Sequence, residues 1–156
     1  MGWLKQLFHW NYVLCVSMVG WFAAQVLKTI INAVLLKELK LERMWGAGGM
    51  PSSHSATVCA LVVATGRAYG TSSPFFALAF LLAAIVMYDA QGVRRETGEQ
   101  AKVINRMLTD WMDEGAKTAP MLADKKLKEM VGHTPFEVWA GALLGVAIGF
   151  AIPVML

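Results

Sequence analysis

The chain has 156 residues, of which 56% are hydrophobic and 16% are charged, and its formal net charge is +3. A soluble domain is about 45–50% apolar and about 25% charged, so this composition argues against one and predicts a single integral membrane domain over residues 1–156. The small net charge gives no support to a nucleic-acid partner. Cys15 and Cys59 lie in apolar runs, and we expect small core residues there rather than a disulfide or a metal site.

The first apolar segment, residues 11–36, is longer than the roughly 20 residues that cross a bilayer and too long for a cleavable signal peptide. Gln25, Lys28 and Asn32 are spaced three and four apart, so they share one helix face. A polar stripe in a spanning helix usually faces protein or a water-filled cavity. The alternative is that Lys28, close to the helix end, extends to the lipid headgroups.

The segment Gly48-Gly49-Met50-Pro51-Ser52-Ser53-His54-Ser55 leads into the second predicted helix, residues 55–70. Backbone N–H groups at a helix start, with small residues around them, form an anion site. Ser52 or Ser53 is the expected N-cap, and His54 can transfer a proton near neutral pH. The alternative is a plain capped helix start without chemistry.

The third predicted helix covers residues 75–91, and two arginines, Arg94 and Arg95, follow it after Gly92 and Val93. Guanidinium groups are always charged and their forked geometry suits phosphate. Asp89 would pair with one arginine and hold it, or the cluster is an ion pair at the membrane interface. No second carboxylate has the spacing that a magnesium site would need.

Residues 92–133 form the one long polar segment. Its apolar residues fall on one helix face and are Val103, Ile104, Met107, Leu108, Trp111 and Met112. This pattern predicts an amphipathic helix whose face lies on the membrane, on the bundle or on a second subunit. Lys126 and Lys128 follow it, and they are candidates to bind either phosphate or the membrane surface.

The segment Gly132-His133-Thr134-Pro135-Phe136-Glu137 leads into the last apolar helix, residues 136–156. Thr134 as N-cap, Pro135 at the first helical position and Glu137 three residues after the threonine predict a capping box. Alternatively, Glu137 lies four residues after His133 and orients its imidazole, as carboxylates orient catalytic histidines. The two interpretations are compatible.

Two ladders of small residues recur every fourth position. They are Ala56, Ala60, Ala64 and Ala68 in the second predicted helix, and Gly141, Gly145 and Gly149 in the last. Such ladders let membrane helices pack closely, so we expect the glycine ladder to meet another helix, the alanine ladder being the first candidate, or to form a homo-oligomer. The predicted fold is an all-α membrane protein, a bundle of about four transmembrane helices with a polar, partly helical loop between helices 3 and 4.

With four spans, both histidine loops lie on one side of the membrane. That side also carries most of the basic residues, namely Lys37, Lys40, Arg43, Arg94, Arg95, Lys102, Arg106, Lys117, Lys125, Lys126 and Lys128. The bias of lysine and arginine predicts a multi-pass protein, with a bacterial cytoplasmic membrane as the expected location and the histidine loops facing the cytoplasm.

Three motifs carry a family resemblance that covers nearly the whole chain. They are Gly48-Gly49-Met50-Pro51-Ser52-Ser53-His54-Ser55-Ala56, Tyr88-Asp89-Ala90-Gln91-Gly92-Val93-Arg94-Arg95 and Gly132-His133-Thr134-Pro135-Phe136-Glu137. In these motifs the chain resembles the divergent PAP2 family, distant relatives of type-2 phosphatidic acid phosphatases and vanadium-dependent haloperoxidases.

The resemblance implies a phosphohistidine reaction without metal or cofactor. His133 would be the nucleophile, Glu137 its orienting carboxylate and His54 the acid. Phosphate oxygens would bind to a basic and polar set supported by Asp89 and Gly49, and that set consists of Lys28, Ser52, Ser53, Arg94, Arg95 and Lys128. The chain departs from the broader superfamily at Ser53, where a glycine is usual, at Glu137, where an aspartate is usual, and in lacking the superfamily's first motif of lysine followed by Arg-Pro.

The predicted function is therefore a membrane-embedded phosphatase. Its substrate would be a membrane lipid phosphate of the phosphatidate, phosphatidylglycerophosphate or polyprenyl phosphate type. The alternative is a non-catalytic membrane protein with the same fold that binds or moves an anionic lipid. A haloperoxidase-like vanadate enzyme is disfavoured because the expected site opens toward lipid.

Overall fold

The computed structural model describes residues 10–36, 49–113, 127 and 132–154. Within these residues the chain forms only α-helices, with no β-strand. The helices are α1 (Tyr12–Leu36), α2 (Ser53–Tyr69), α3 (Pro74–Gln91), α4 (Val93–Asp113) and α5 (Pro135–Ala151). The prediction of an all-α fold is confirmed.

The start of α2 lies two residues before the predicted one. Ser52 is the N-cap, and its Oγ accepts a hydrogen bond from the N–H of Ser55 at 3.4 Å. Because the helix begins at Ser53, His54 lies in its first turn rather than in the preceding loop.

The end of α5 lies at Ala151, and the predicted continuation through residue 156 is wrong. Ile152 adopts an extended backbone with φ −84° and ψ 121°. The next residue is Pro153, whose ring disfavours helical geometry in the residue before it.

Helix α2 is the centre of the bundle and packs against α1, α3 and α5. A buried cluster at one end of the bundle joins Tyr12 and Val16 of α1 to Ala60 and Ala64 of α2. The side chains that α2 turns toward its neighbours are small, so the surrounding backbones approach it closely.

The glycine ladder packs against α2, as its spacing predicted. A Cβ on Gly145 would collide with the carbonyl oxygen of Ala56, and one on Gly141 with that of Ser52. Because α2 covers this face within one chain, a homo-oligomer through Gly141, Gly145 and Gly149 would have to displace α2; the oligomer itself stays a prediction.

In the part of the chain that the structure describes, two helical stretches are long and apolar enough to cross a membrane. They are Tyr12–Val34 and Pro74–Asp110, and the latter passes through Gly92 between α3 and α4. Helix α5 is apolar but shorter, with 17 residues. Four transmembrane helices therefore remain a prediction.

The amphipathic character predicted after the third helix is present in α4. Ala101 and Asn105 are buried, and Asn105 exchanges two hydrogen bonds with the backbone of Leu127, at 2.9 and 3.0 Å. The apolar side chains of Ile104 and Met107 are exposed. The side chains of Trp111 and Met112 and the residues Lys126 and Lys128 lie outside the part that the structure describes.

Candidate functional site

The structure brings the two remote histidines together. The ring centroids of His54 and His133 are 6.1 Å apart, and the rings are inclined by 63°. One imidazole belongs to the first turn of α2 and the other to the segment just before α5. The site thus forms where the first turns of these two helices meet the end of α3.

His133 is buried and held through its backbone. Its N–H donates a hydrogen bond to the carbonyl oxygen of Ala90, at the end of α3, at 3.1 Å. Gly132, just before it, has φ +92°, and a Cβ there would collide with the backbone of Arg94 and Arg95. Only glycine fits this position because any side chain would lift the segment from the α3–α4 junction.

Glu137 makes the contacts of both interpretations that the sequence left open. Its Oε2 accepts the N–H of Thr134 at 3.0 Å, while its own N–H donates to Thr134 Oγ1 at 3.3 Å, which forms the capping box. The same Oε2 lies 3.2 Å from Nδ1 of His133. When Nδ1–H donates to this carboxylate, the imidazole tautomer leaves the lone pair on Nε2.

The environment of His133 favours its neutral form. Burial lowers the pKa of His133 most strongly, and the hydrogen bond and charge of Glu137 oppose that effect in part. The positive charges of Lys28 and Arg94 lower the pKa further. A neutral imidazole with a free Nε2 lone pair can act as a nucleophile at neutral pH.

Lys28 points into the bundle. Its side chain is only 2% exposed. Gly49, with φ +87°, lies over the aliphatic part of Lys28, and a Cβ added at Gly49 would lie 3.6 Å from Cδ of Lys28. Lys28 interacts electrostatically with both histidines and with Glu137. The alternative that it only extends to the headgroups does not fit this burial.

The two adjacent arginines face different surroundings. Nε of Arg94 lies 2.6 Å from Oδ2 of Asp89, and the charge of Arg94 acts on both histidines. Arg95 instead acts on Glu99, on the exposed side of α4. The Asp89–Arg94 pair is substantially exposed, so it contributes only about 0–1 kcal/mol to stability, and its value to the site is positional.

The two serines before His54 also differ. Ser52 is fully buried, its N–H donates to the carbonyl oxygen of Glu137 at 3.0 Å and its Oγ caps α2. Its N–H therefore joins α2 to α5, and its hydroxyl is used by the cap of α2. Ser53 opens the helix, where the first N–H groups have no partner inside the helix and can bind an anion.

The link from Ala90 to His133 had no role in the sequence interpretation. Its one sequence signal is the glycine immediately before His133, which is typical of a close backbone approach. Sequence reasoning also missed Arg67, which donates from Nη1 to the carbonyl oxygens of Gly149 and Ile152, each at 2.6 Å. These bonds cap α5 at the end of the bundle remote from the histidines.

The comparisons with known proteins identify a family. The sequence model described as the Divergent PAP2 family matches residues 9–148. A protein of Bacillus subtilis (strain 168) named uncharacterized membrane protein YuiD is 41% identical over 144 residues, which cover 88% of this chain and 91% of the relative. No solved structure matches the chain.

All three motifs of the site lie inside the matched residues. The chain belongs to the divergent PAP2 family.

Proposed function

We propose that this protein is a membrane-embedded phosphatase that releases phosphate from a lipid phosphate through a phosphohistidine intermediate. The observation that carries the proposal is the meeting of a buried, carboxylate-held imidazole, His133, with a second imidazole, His54, at 6.1 Å between ring centroids. The two rings are near neighbours, so one phosphoryl group bound beside them can contact both.

In the first step, Nε2 of His133 attacks phosphorus and a P–N bond forms. The P–O bond to the lipid breaks, its electron pair stays on the leaving oxygen, and the imidazolium of His54 protonates that oxygen. The negative charge of the bound phosphate stabilises this imidazolium. Glu137 holds the ring of His133 and balances the positive charge that develops on it.

In the second step, His54, now neutral, takes a proton from water while the water oxygen attacks phosphorus. The P–N bond breaks, and its electron pair returns to Nε2 of His133 as inorganic phosphate leaves. Both steps place negative charge on the equatorial oxygens, which need positive partners. Lys28, Arg94 and the N–H of Ser53 are the groups that would supply them.

The test is phosphate release by the purified full-length protein from lipid phosphates in detergent or vesicles. We expect release that vanadate inhibits, and a radiolabelled phosphoenzyme that is stable to base and labile to acid. His133→Ala should abolish both signals while the protein keeps its helical content. Release at the wild-type rate by His133→Ala would refute the assignment of the nucleophile.

A second candidate function is binding of a lipid phosphate without turnover. The observation that favours it is the short pairing of Arg94 with Asp89, which neutralises one of the cations available for a transition state. Saturable binding of the lipid phosphate at several pH values, without phosphate release at any of them, would support this function instead.

For this phosphatase we propose a topology in which four helices span the membrane and the site faces the cytoplasm. Gly141 and Gly145 of α5 meet Ser52 and Ala56 of α2 in the same order, so the two helices run parallel, as the second and fourth spans of such a bundle must. Impermeant thiol labelling of single cysteines tests this. A cysteine at position 72, between α2 and α3, should react from outside intact cells, and one at position 97 only after lysis.

A further inference from the structure

A groove of about 370 Å³ lies on α2 between α1 and α3, far from the histidines. Leu61, Thr65 and Tyr69 of α2 form its floor, and its walls include Val13 of α1 and Leu78 and Leu82 of α3. The groove exists because α1 and α3 both pack against α2 but make at most marginal contact with each other. Nothing in the reaction scheme uses it.

The floor of the groove lies on the same face of α2 as His54. Leu61 and Thr65 follow His54 by seven and eleven residues, which is close to two and three full turns of an α-helix. At 1.5 Å per residue, the groove begins about 10 Å below His54 and ends near Tyr69, about 22 Å below it. His54 is itself exposed at the upper end of this face.

The proposed reaction predicts on which side of the site the hydrocarbon chain of the lipid leaves. In an in-line displacement the leaving oxygen lies opposite the nucleophile, and here it must lie beside the acid, His54. That oxygen carries the hydrocarbon part of the lipid. The chain therefore leaves the site on the His54 side, above the face that continues to Leu61 and Thr65.

The depth of the groove indicates the length of the chain. One leaflet contributes about half of the 30 Å hydrocarbon core, or about 15 Å. Exposed Tyr69 and Trp10 at the far end are typical of residues at the opposite membrane interface. The lower part of the groove thus lies beyond the bilayer midplane, where an acyl chain from the histidine side ends.

The volume indicates the number of chains. A group of about the size of a water molecule takes roughly 30 Å³ in a liquid, so the groove has room for about a dozen groups. That corresponds to part of one hydrocarbon chain rather than two chains side by side.

We propose that this groove binds the distal part of a single hydrocarbon chain longer than one leaflet, as in a polyisoprenoid monophosphate whose phosphate lies between His54 and His133. The inference rests on the proposed function in two respects: a lipid phosphate binds between the histidines, and its hydrocarbon chain leaves on the side of His54. Among the three lipid types that the sequence left open, it selects the polyprenyl phosphate.

The experiment is photolabelling of the full-length protein, wild type and His133→Ala in parallel, with geranylgeranyl monophosphate that carries a diazirine at the end of its chain. We expect labels on the groove residues around Thr65 and Leu78. The matched alcohol, geranylgeraniol with the same diazirine, should label them several-fold less. Unlabelled undecaprenyl phosphate should compete at several-fold lower concentration than phosphatidate with ordinary acyl chains.

Two adjacent leucines of α3 provide a matched pair of variants. Leu82 is part of the groove wall, whereas Leu81 is exposed on the same helix outside it. Leu82→Trp should lower the labelling several-fold because the indole fills the groove, and Leu81→Trp should label like the wild type.

Three outcomes would overturn the proposal. Equal labelling by the alcohol would show that an ordinary bilayer lipid occupies the groove. Equal competition by phosphatidate would show that the groove does not select for chain length. Cross-links that join two copies through the groove would show that it is a contact between subunits. Labelling does not depend on turnover, so the two proposals fail separately. Labels without phosphate release would refute the phosphatase alone, and release without groove labels would refute the groove alone.

Discussion

The two histidine segments are built from similar parts but are held in different ways. In both, a hydroxyl residue caps an apolar helix, Ser52 for α2 and Thr134 for α5. His133 precedes its cap, is 5% exposed, and is fixed by Glu137 and by the carbonyl of Ala90. His54 follows its cap inside the first helical turn and is exposed, and no hydrogen bond of its ring is present among the described residues.

This difference separates the two roles. A nucleophile gains from a single fixed orientation and tautomer, because the attacking lone pair must lie in line with the leaving oxygen. An acid that later acts as a base must exchange protons with a departing alcohol and with water, which needs access. The predictions that follow test this contrast, beginning with the largest expected effect.

Removing the exposed imidazole should slow the release of lipid alcohol but spare the attack. His54→Ala should reduce the rate on an alkyl phosphate by about 10²–10⁴-fold, the usual contribution of a general acid. The loss in the first step should be much smaller on an aryl phosphate such as p-nitrophenyl phosphate, because its leaving oxygen needs no proton. The single-turnover burst of lipid alcohol or of p-nitrophenol is the measurement, since phosphate release also needs His54 as the base of the second step, which the two substrates share.

The control for this comparison is His133→Ala, which should lose activity on both substrates equally because it removes the nucleophile. If His54→Ala lost the burst of leaving alcohol on the two substrates to the same degree, the contrast between a fixed nucleophile and an accessible acid would not hold.

Glu137→Gln separates the two functions of one carboxylate. Glutamine also forms a capping box, so the start of α5 should survive, whereas the negative charge beside His133 is lost. We expect the rate to fall by about 10²-fold or more with little change in stability, as judged by phosphate release and thermal unfolding in detergent. Glu137→Ala, which removes the cap as well, should be slower and also less stable.

The contact between Glu137 and His133 also predicts the direction in which the pH profile of Glu137→Gln shifts. The neutral form of His133 attacks, so activity should rise with pH through the pKa of His133, which burial holds below the ordinary imidazole value of about 6.5. Glu137 raises that pKa. In Glu137→Gln the acid limb should therefore move to lower pH, and a shift to higher pH would contradict the assigned contact.

The neighbouring arginines offer a matched pair with a smaller effect. Arg94→Ala should raise KM for the lipid phosphate by about tenfold, because its side chain acts on the two histidines and a charged hydrogen bond contributes about 1.5–3 kcal/mol. Arg95→Ala should change KM by much less, since Arg95 acts on Glu99. Equal losses in the two variants would place Arg95 in the site as well.

The sequence predicted the individual helices and caps of this site better than the contacts between distant residues. The period of small residues predicted that the last helix would pack closely, and Gly145 against the Ala56 carbonyl is the result. Helix starts were predictable to within two residues because caps and prolines are local signals. The early end of α5 at Ala151 was equally local, but the signal from Pro153 was not used.

What the sequence could not supply depends on contacts between distant residues. Nothing in the spacing of Arg94 and Arg95 distinguishes them, because their difference arises from the way α4 leaves α3. The bond from His133 to Ala90 joins residues 43 positions apart. Likewise, the sequence treated Ser52 and Ser53 as equivalent phosphate contacts, whereas the structure uses Ser52 to join two helices.

That last distinction predicts the smallest effect. Ser52→Ala removes the cap of α2 in a fully buried position, so it should lower the free energy of unfolding by about 0.5–2 kcal/mol. Ser53→Ala keeps both the cap and the backbone N–H proposed for phosphate, so it should lower the free energy of unfolding by less than Ser52→Ala does. Thermal unfolding of both variants in the same detergent measures the difference. Equal destabilisation would mean that the two hydroxyls share the cap, and the first turn of α2 would then hold His54 less tightly than the geometry indicates.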